Sequence, residues 1–130
     1  YGPYESYIDK RRASRLGRFE ACVDCLHEDY LKPQENGSHW GCHYVTVGCG
    51  CTGLAVYGVP FSFNASAYTQ EELTAKVHNF ALEKSGHTVL CLDGQMSGIG
   101  SNSCGPELLE QYRVGAEPIT LHLTLKPLTK

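Results

Sequence analysis

The sequence lacks any run approaching the ~18 apolar residues of a membrane-spanning helix, and it opens on polar and aromatic residues rather than an apolar leader. Neither a transmembrane helix nor a signal peptide is therefore expected. It also lacks an excess of charge of one sign. Eleven Lys and Arg stand against 14 Asp and Glu, a net charge of −3, so nothing draws the chain to nucleic acid or to an anionic membrane. There is no Gly-Lys-Ser or Gly-Lys-Thr, which excludes a phosphate loop, and no Gly-x-Ser-x-Gly nucleophile turn. Gly98-Ile99-Gly100 runs straight into Ser101-Asn102-Ser103, without the third glycine of a dinucleotide loop. Internal repeats and low-complexity tracts are absent too.

What is present is 130 residues, 42% of them hydrophobic and 19% charged, enough for one domain or a piece of one with a real core. Seven cysteines are many for this length, but the odd number and irregular spacing argue against a disulfide framework and for free thiols in a reducing, cytoplasmic setting. Cys22-Val23-Asp24-Cys25 invites a metal reading. Two further ligands would be needed, and Cys49-Gly50-Cys51 lacks knuckle spacing. If residues 19–26 form a strand, Cys22 and Cys25 point to opposite faces. No metal site is expected. Lys10-Arg11-Arg12 with Arg15 and Arg18 reads as a solvated or inter-domain face.

Along the chain, Tyr1, Tyr4 and Tyr7 are expected to pack on a sheet edge while Glu5 and Asp9 pair with the arginines. Such an ordered-looking beginning is expected of a chain cut from something longer. Leu16 to Asp24 alternates as an extended segment, and Asn36-Gly37 closes the polar link that follows with a tight-turn signal. His39 to Val47 reads as a strand with Trp40, Cys42, Tyr44 and Thr46 on one face. Leu54–Val59 and Phe61–Ala65 read as two strands broken at Pro60, which cannot donate to a ladder. A helix is predicted from Thr69, where Thr69 and Glu72 form a capping-box pattern. Leu73, Val77 and Phe80 give its apolar face and Gly86 stops it. Thr88–Leu92 reads as a buried strand, and Pro118–Leu125 alternates as a half-buried antiparallel strand. Short strands, turn signals and one short helix make an all-β chain, an antiparallel β-sandwich.

The stretch from Asp93 to Pro106 is a glycine-rich loop clamped between ordered segments, the kind that shapes a ligand surface. It holds no Asp, Glu, His, Lys or Arg between Gly94 and Pro106, so it can line a site but is poorly equipped for acid–base chemistry. Asp93, at a strand end, is placed to tie down the loop's backbone N–H groups. Glu5, Asp9, Glu28, Asp29 and Glu35 sit in polar turns, where solvation or capping is the commoner use. No pairing singles out His27, His39, His43, His78, His87 or His122 as the base for a cysteine nucleophile. An autonomous carbohydrate-binding module, in which Tyr1, Tyr4, Tyr7, Trp40 or Tyr57 stack on sugar, stands as the alternative to a part of a larger enzyme.

Four stretches, in order, resemble the C-terminal small-chain domain of the large β-galactosidases of glycoside hydrolase family 2. Gly2 to Arg11 is similar to the motif Gly-Pro-x-Glu-x-Tyr-x-Asp-Arg, with Lys10 interposed before the arginine. Tyr30–Gly37, Phe61–Thr69 and Asp93–Gly100 follow. The resemblance covers nearly the whole chain and implies a galactose-mutarotase-like supersandwich, with residues 1–130 as its later half. It implies a retaining β-galactosidase acting on terminal β-D-galactosides such as lactose, whose two catalytic carboxylates lie outside this segment. The segment would complete the fold and edge the sugar site through Gly98, Ser101, Asn102, Ser103 and Cys104. Some members carry a tryptophan in that loop, where Cys104 stands nearest, and often an arginine where His43 stands. No cofactor belongs to the segment itself, although the parent family often uses Mg and Na ions. Implied partners are the remainder of the parent chain, the galactoside at the domain edge and a second copy in a homo-oligomer.

Overall fold

The computed structural model describes residues 1–100 and 105–129. Their strands form one antiparallel sheet built on the long strand β2 (Thr52–Ser66). β1 (His39–Cys49) pairs along one edge of β2, joined to it by the tight turn at Gly50-Cys51. β3 (Val89–Asp93) and β4 (Leu123–Thr129) share the opposite edge. β4 pairs with Thr52 to Gly58, and β3 with Ser62 to Ser66. The described residues are thus mostly antiparallel β with one short α-helix, in keeping with the expected all-β sandwich class. Among the described residues the four strands make a single layer.

Two irregularities in the β1–β2 ladder correct the expected pattern. His39 pairs with Phe63 and Cys42 with Phe61, so β1 carries one extra residue, accommodated at Gly41 with φ +69°. Tyr44 then pairs with Tyr57, so β2 carries the surplus next, around Gly58-Val59-Pro60. Pro60 therefore does not break the strand, because a bulge asks nothing of its missing N–H. Trp40, Cys42, Tyr44 and Thr46 do not share one face. Cys42, Val45 and Val47 turn to the core, while Tyr44 is exposed and stacks on Tyr57 with centroids 6.2 Å apart.

Other expectations also give way. Leu16 to Asp24 forms no strand, and Val23–Cys25 is a single 3₁₀ turn. The helix α1 spans only Gln70–Ala75. Thr69 caps it as expected, accepting from the Glu72 N–H at 3.1 Å. The Glu72 carboxylate reaches forward to the Glu83 N–H (2.8 Å) and to Lys76, so the chain folds back after Lys76 instead of continuing. Leu73 is buried, whereas Val77 and Phe80 are 64% and 89% exposed. Pro118 to His122 lies outside β4, and Thr124 to Thr129 are exposed, so the last strand is not half-buried.

The core is small. Val45, Val56 and Phe61 are buried at its centre, with Cys42, Leu54, Phe63, Leu90, Leu92, Leu121 and Leu123 packed around them. The accessible surface is 9074 Å². A compact monomer of this mass exposes about 6800 Å², so roughly 2300 Å² more is uncovered than a self-sufficient domain would leave. Part of this excess lies in an open groove of about 1020 Å³ between β1 and the segment carrying Leu16, Phe19 and Val23.

Candidate functional site

The first fifteen residues close on themselves. Gly2 and Arg15 exchange backbone hydrogen bonds of 3.1 and 3.0 Å, and Tyr7 and Lys10 exchange another pair. This ring is seated on the start of β1. The Ser6 N–H donates to the Ser38 carbonyl at 2.7 Å, and the Trp40 N–H donates to Ser6 Oγ at 3.0 Å. Tyr7 is buried, Tyr1 leans on Trp40 with centroids 5.3 Å apart, and Tyr4 is exposed. The Arg11 guanidinium lies 4.2 Å over the Trp40 ring.

Glu5 and Asp9 do not pair with the arginines. The Glu5 side chain is 6% exposed and accepts from four donors. Oε1 takes Lys10 Nζ at 2.6 Å and the Tyr30 hydroxyl; Oε2 takes the Tyr7 hydroxyl at 3.0 Å and the Gly37 N–H at 3.0 Å. Burial alone would raise its pKa. The bonds from Lys10, Tyr30, Gly37 and Tyr7 outweigh burial and hold the carboxyl below its ordinary value. Gly37 can present its N–H because it adopts φ +71°; a Cβ there would come within 2.6 Å of the Leu26 carbonyl oxygen. Asn36 braces the same turn. Its Oδ1 accepts from the Glu28 N–H, and its Nδ2 donates to the Glu28 and Gln34 carbonyls.

Asp9 reaches the glycine-rich loop. Its Oδ1 accepts from the Ile99 N–H at 3.1 Å and its Oδ2 from the Gly100 N–H at 2.9 Å. Gly98 passes so close that a Cβ would lie 2.4 Å from Asp9 Cγ. On the loop's other side the Gly98 N–H donates to the Tyr112 carbonyl at 2.9 Å, and Ser97 Oγ accepts from the Val114 N–H at 3.0 Å. Asp93 was expected to tie this loop down and does not hold these amides. Its Oδ2 is buried without a partner among the described residues, and burial first, then Glu35, raises its pKa. Of the expected loop residues, Gly98 is placed by these contacts, while Ser101, Asn102, Ser103 and Cys104 lie outside the described residues.

Among the described residues, the remaining polar groups show no assembled chemistry. His39 is buried against Phe63, 5.1 Å between centroids. Its Nδ1 lies 3.2 Å from the Tyr1 carbonyl, which can only accept, so that nitrogen carries the proton. Burial lowers the His39 pKa and raises those of the Cys42 and Cys91 thiols, the wrong direction for a thiolate nucleophile. Cys22, Cys25, Cys42, Cys49, Cys51 and Cys91 are free. Among the described residues no three of His, Cys, Asp and Glu converge as a metal ligand set, and no helix is long and apolar enough to cross a membrane.

Glu5 and Asp9 take roles other than the arginine pairing and turn solvation expected of them. The Gly37 N–H held by Glu5 lies 32 positions away and the Gly100 N–H held by Asp9 lies 91 away, beyond any periodicity. The usable signal was that both acids fall in the first of the four motifs and bond into the second and fourth.

The family model described as beta galactosidase small chain matches residues 1–125. A beta-galactosidase of Actinobacillus pleuropneumoniae is 53% identical over 115 residues, covering 88% of this chain and 11% of its own length. A beta-galactosidase of Staphylococcus xylosus is 42% identical, covering 96% of this chain and 13% of its own length. One of Kluyveromyces lactis is 34% identical, covering 95% of this chain and 12% of its own length. The chain thus spans about an eighth of the curated relatives it matches, and over nearly its whole extent it belongs to the β-galactosidase small-chain family.

Proposed function

We propose that residues 1–130 are a non-catalytic C-terminal part of the small-chain domain of a retaining β-galactosidase that hydrolyses terminal β-D-galactosides such as lactose. The segment completes the fold and edges the sugar site with the loop from Gly98 to Cys104. The observation that carries this reading is the use made of the two motif acids. Retaining hydrolysis needs two carboxyl groups about 5–5.5 Å apart, facing the sugar and free to exchange roles. Glu5 is enclosed by four donors and Asp9 is committed to two loop amides, so neither is free for that work. The excess of about 2300 Å² of accessible surface falls within the range of permanent interfaces, which supports the rest of the parent chain as its main partner.

The Mg and Na ions of the parent family find no Asp, Glu, His or Cys ligand set among the described residues, so no step is assigned to them here. Six free cysteines support a reducing, cytoplasmic location. A homo-oligomer formed through the parent enzyme remains part of the proposal. The autonomous sugar-binding alternative is weakened at Trp40, whose ring is already occupied by Arg11 and Tyr1.

The test is hydrolysis of a chromogenic β-galactoside by the purified chain alone, with the full-length enzyme as positive control. No turnover is expected from the chain. Turnover that survives repurification and disappears in Glu5→Gln would overturn the reading.

A further inference from the structure

The geometry points to Asp9 as a positioning residue for the β-galactosidase reaction, setting substrate affinity through the path of the loop at Gly98, Ile99 and Gly100. This rests on the reading above that the loop borders the sugar. Two consecutive N–H groups, on Ile99 and Gly100, converge on the two oxygens of one carboxylate at 3.1 and 2.9 Å. Ionised acceptors make the stronger class of hydrogen bond, and a bidentate arrangement fixes direction as well as distance. The contact is also sterically matched: Gly98 has no room for a Cβ, because Asp9 Cγ would lie 2.4 Å from it. Behind the loop, the Tyr112 carbonyl holds the Gly98 N–H and Ser97 Oγ holds the Val114 N–H.

Asp9 is itself fixed. It lies within the turn closed by the Tyr7 and Lys10 backbone pair, and that turn is anchored by Glu5 through Lys10 and Tyr7. The carboxylate is therefore a stationary post against which the loop is set. A post of this kind acts on substrate only through the loop it positions. Removing it should weaken ground-state and transition-state binding together, raising KM while leaving kcat nearly unchanged.

The experiment uses the full-length β-galactosidase that contains this segment, with Asp9→Ala, Asp9→Asn, Gly98→Ala and the double variant Asp9→Ala/Gly98→Ala. Hydrogen exchange at the Ile99 and Gly100 amides is measured beside KM and kcat for an aryl β-galactoside, with the melting temperature as a check on folding. In Asp9→Ala both amides should exchange about tenfold faster or more. KM should rise several-fold, with kcat within about twofold of the parent. Asp9→Asn keeps one acceptor oxygen and should fall between the parent and Asp9→Ala. Gly98→Ala should mimic Asp9→Ala by pushing the loop off the carboxylate. In the double variant the clash is gone, so the two effects should be far less than additive.

Unchanged exchange at both amides in Asp9→Ala would overturn the clamp while leaving the proposed position of the loop intact. Faster exchange with unchanged KM and kcat would overturn the positioning role and remove the loop from the sugar site. A loss confined to kcat, or strictly additive variants, would also contradict the inference.

Discussion

Replacing Glu5 by alanine should loosen the whole seat of the N-terminal ring. The mutation removes the acceptor of four donors. Lys10 is half exposed and can turn to water at little cost. The Tyr7 hydroxyl and the Gly37 N–H are less fortunate, because Tyr7 is buried and Gly37 is fixed by its turn. A buried donor left without a partner costs about 1–3 kcal/mol, so the two together weaken the seat by about 3 kcal/mol. The suitable assay is residue-resolved hydrogen exchange, which reads local opening and works in the isolated chain or in a larger enzyme. The reporters are the Ser6 and Trp40 amides, which bond to Ser38 and to Ser6 Oγ rather than to Glu5. At about 1.4 kcal/mol per decade, their exchange should accelerate on the order of 100-fold. Amides in the β2–β4 ladder, around Val56, should be nearly unaffected and serve as the internal control. Acceleration of less than about threefold at Ser6 and Trp40 would refute the view that Glu5 is the fastening point.

Acid should release the same fastening. The Glu5 pKa is lower in the folded chain than its ordinary value of 4.5, so its stabilisation is complete above that value and is lost as pH falls through the lower folded pKa. Trp40 emission should therefore stay constant down to about pH 5 and change below it, and Glu5→Ala should lack that transition. Gly37→Ala should destabilise the chain by about 2 kcal/mol or more in chemical denaturation, since it combines a left-handed φ with a 2.6 Å approach to Leu26. Phe61→Ala, at the centre of the core, should cost about 3–5 kcal/mol in the same assay. Sedimentation of the isolated chain should show concentration-dependent association, because its uncovered apolar surface and strand edges lack their partners; a monomer at high concentration would count against this.

Local chemistry was readable where it acts over a few residues. Thr69 announces a helix start because the cap needs only the Glu72 N–H three positions on, and the structure forms that bond. The helix end was not readable, because it depends on the Glu72 carboxylate taking the N–H of Glu83, eleven residues away. The face of β1 was misassigned for a similar reason. Alternation fixes faces only while the register holds, and it slips twice: the extra residue at Gly41 brings Cys42 to the core, and the second shift, between Cys42 and Tyr44, turns Val45 inward and leaves Tyr44 outside. The loop was recognised as shaped from its glycines, but its anchor was assigned to neighbouring Asp93 rather than to Asp9, ninety residues earlier. Family motifs were the only part of the sequence that carried such distant pairings. They did so implicitly, by preserving both ends of a contact whose existence they could not state.

The proposal that no catalytic acid lies in this segment is tested hardest by Asp93, a carboxyl whose pKa burial, then Glu35, shifts upward. A general acid in a glycosidase does need a raised pKa, and on that ground Asp93 is the best candidate among the described residues. Against that use, its Oδ2 is buried without a hydrogen-bond partner among the described residues. Its neighbour Glu35 accepts from the Gln70 side-chain amide at 3.0 Å. Glu5 shows the opposite solution, a carboxylate surrounded by donors until its pKa falls. Asp9 is a third, a carboxylate given over to backbone amides. All three acids hold backbone groups or sit in packing, which supports the proposal that this segment positions one edge of a sugar site.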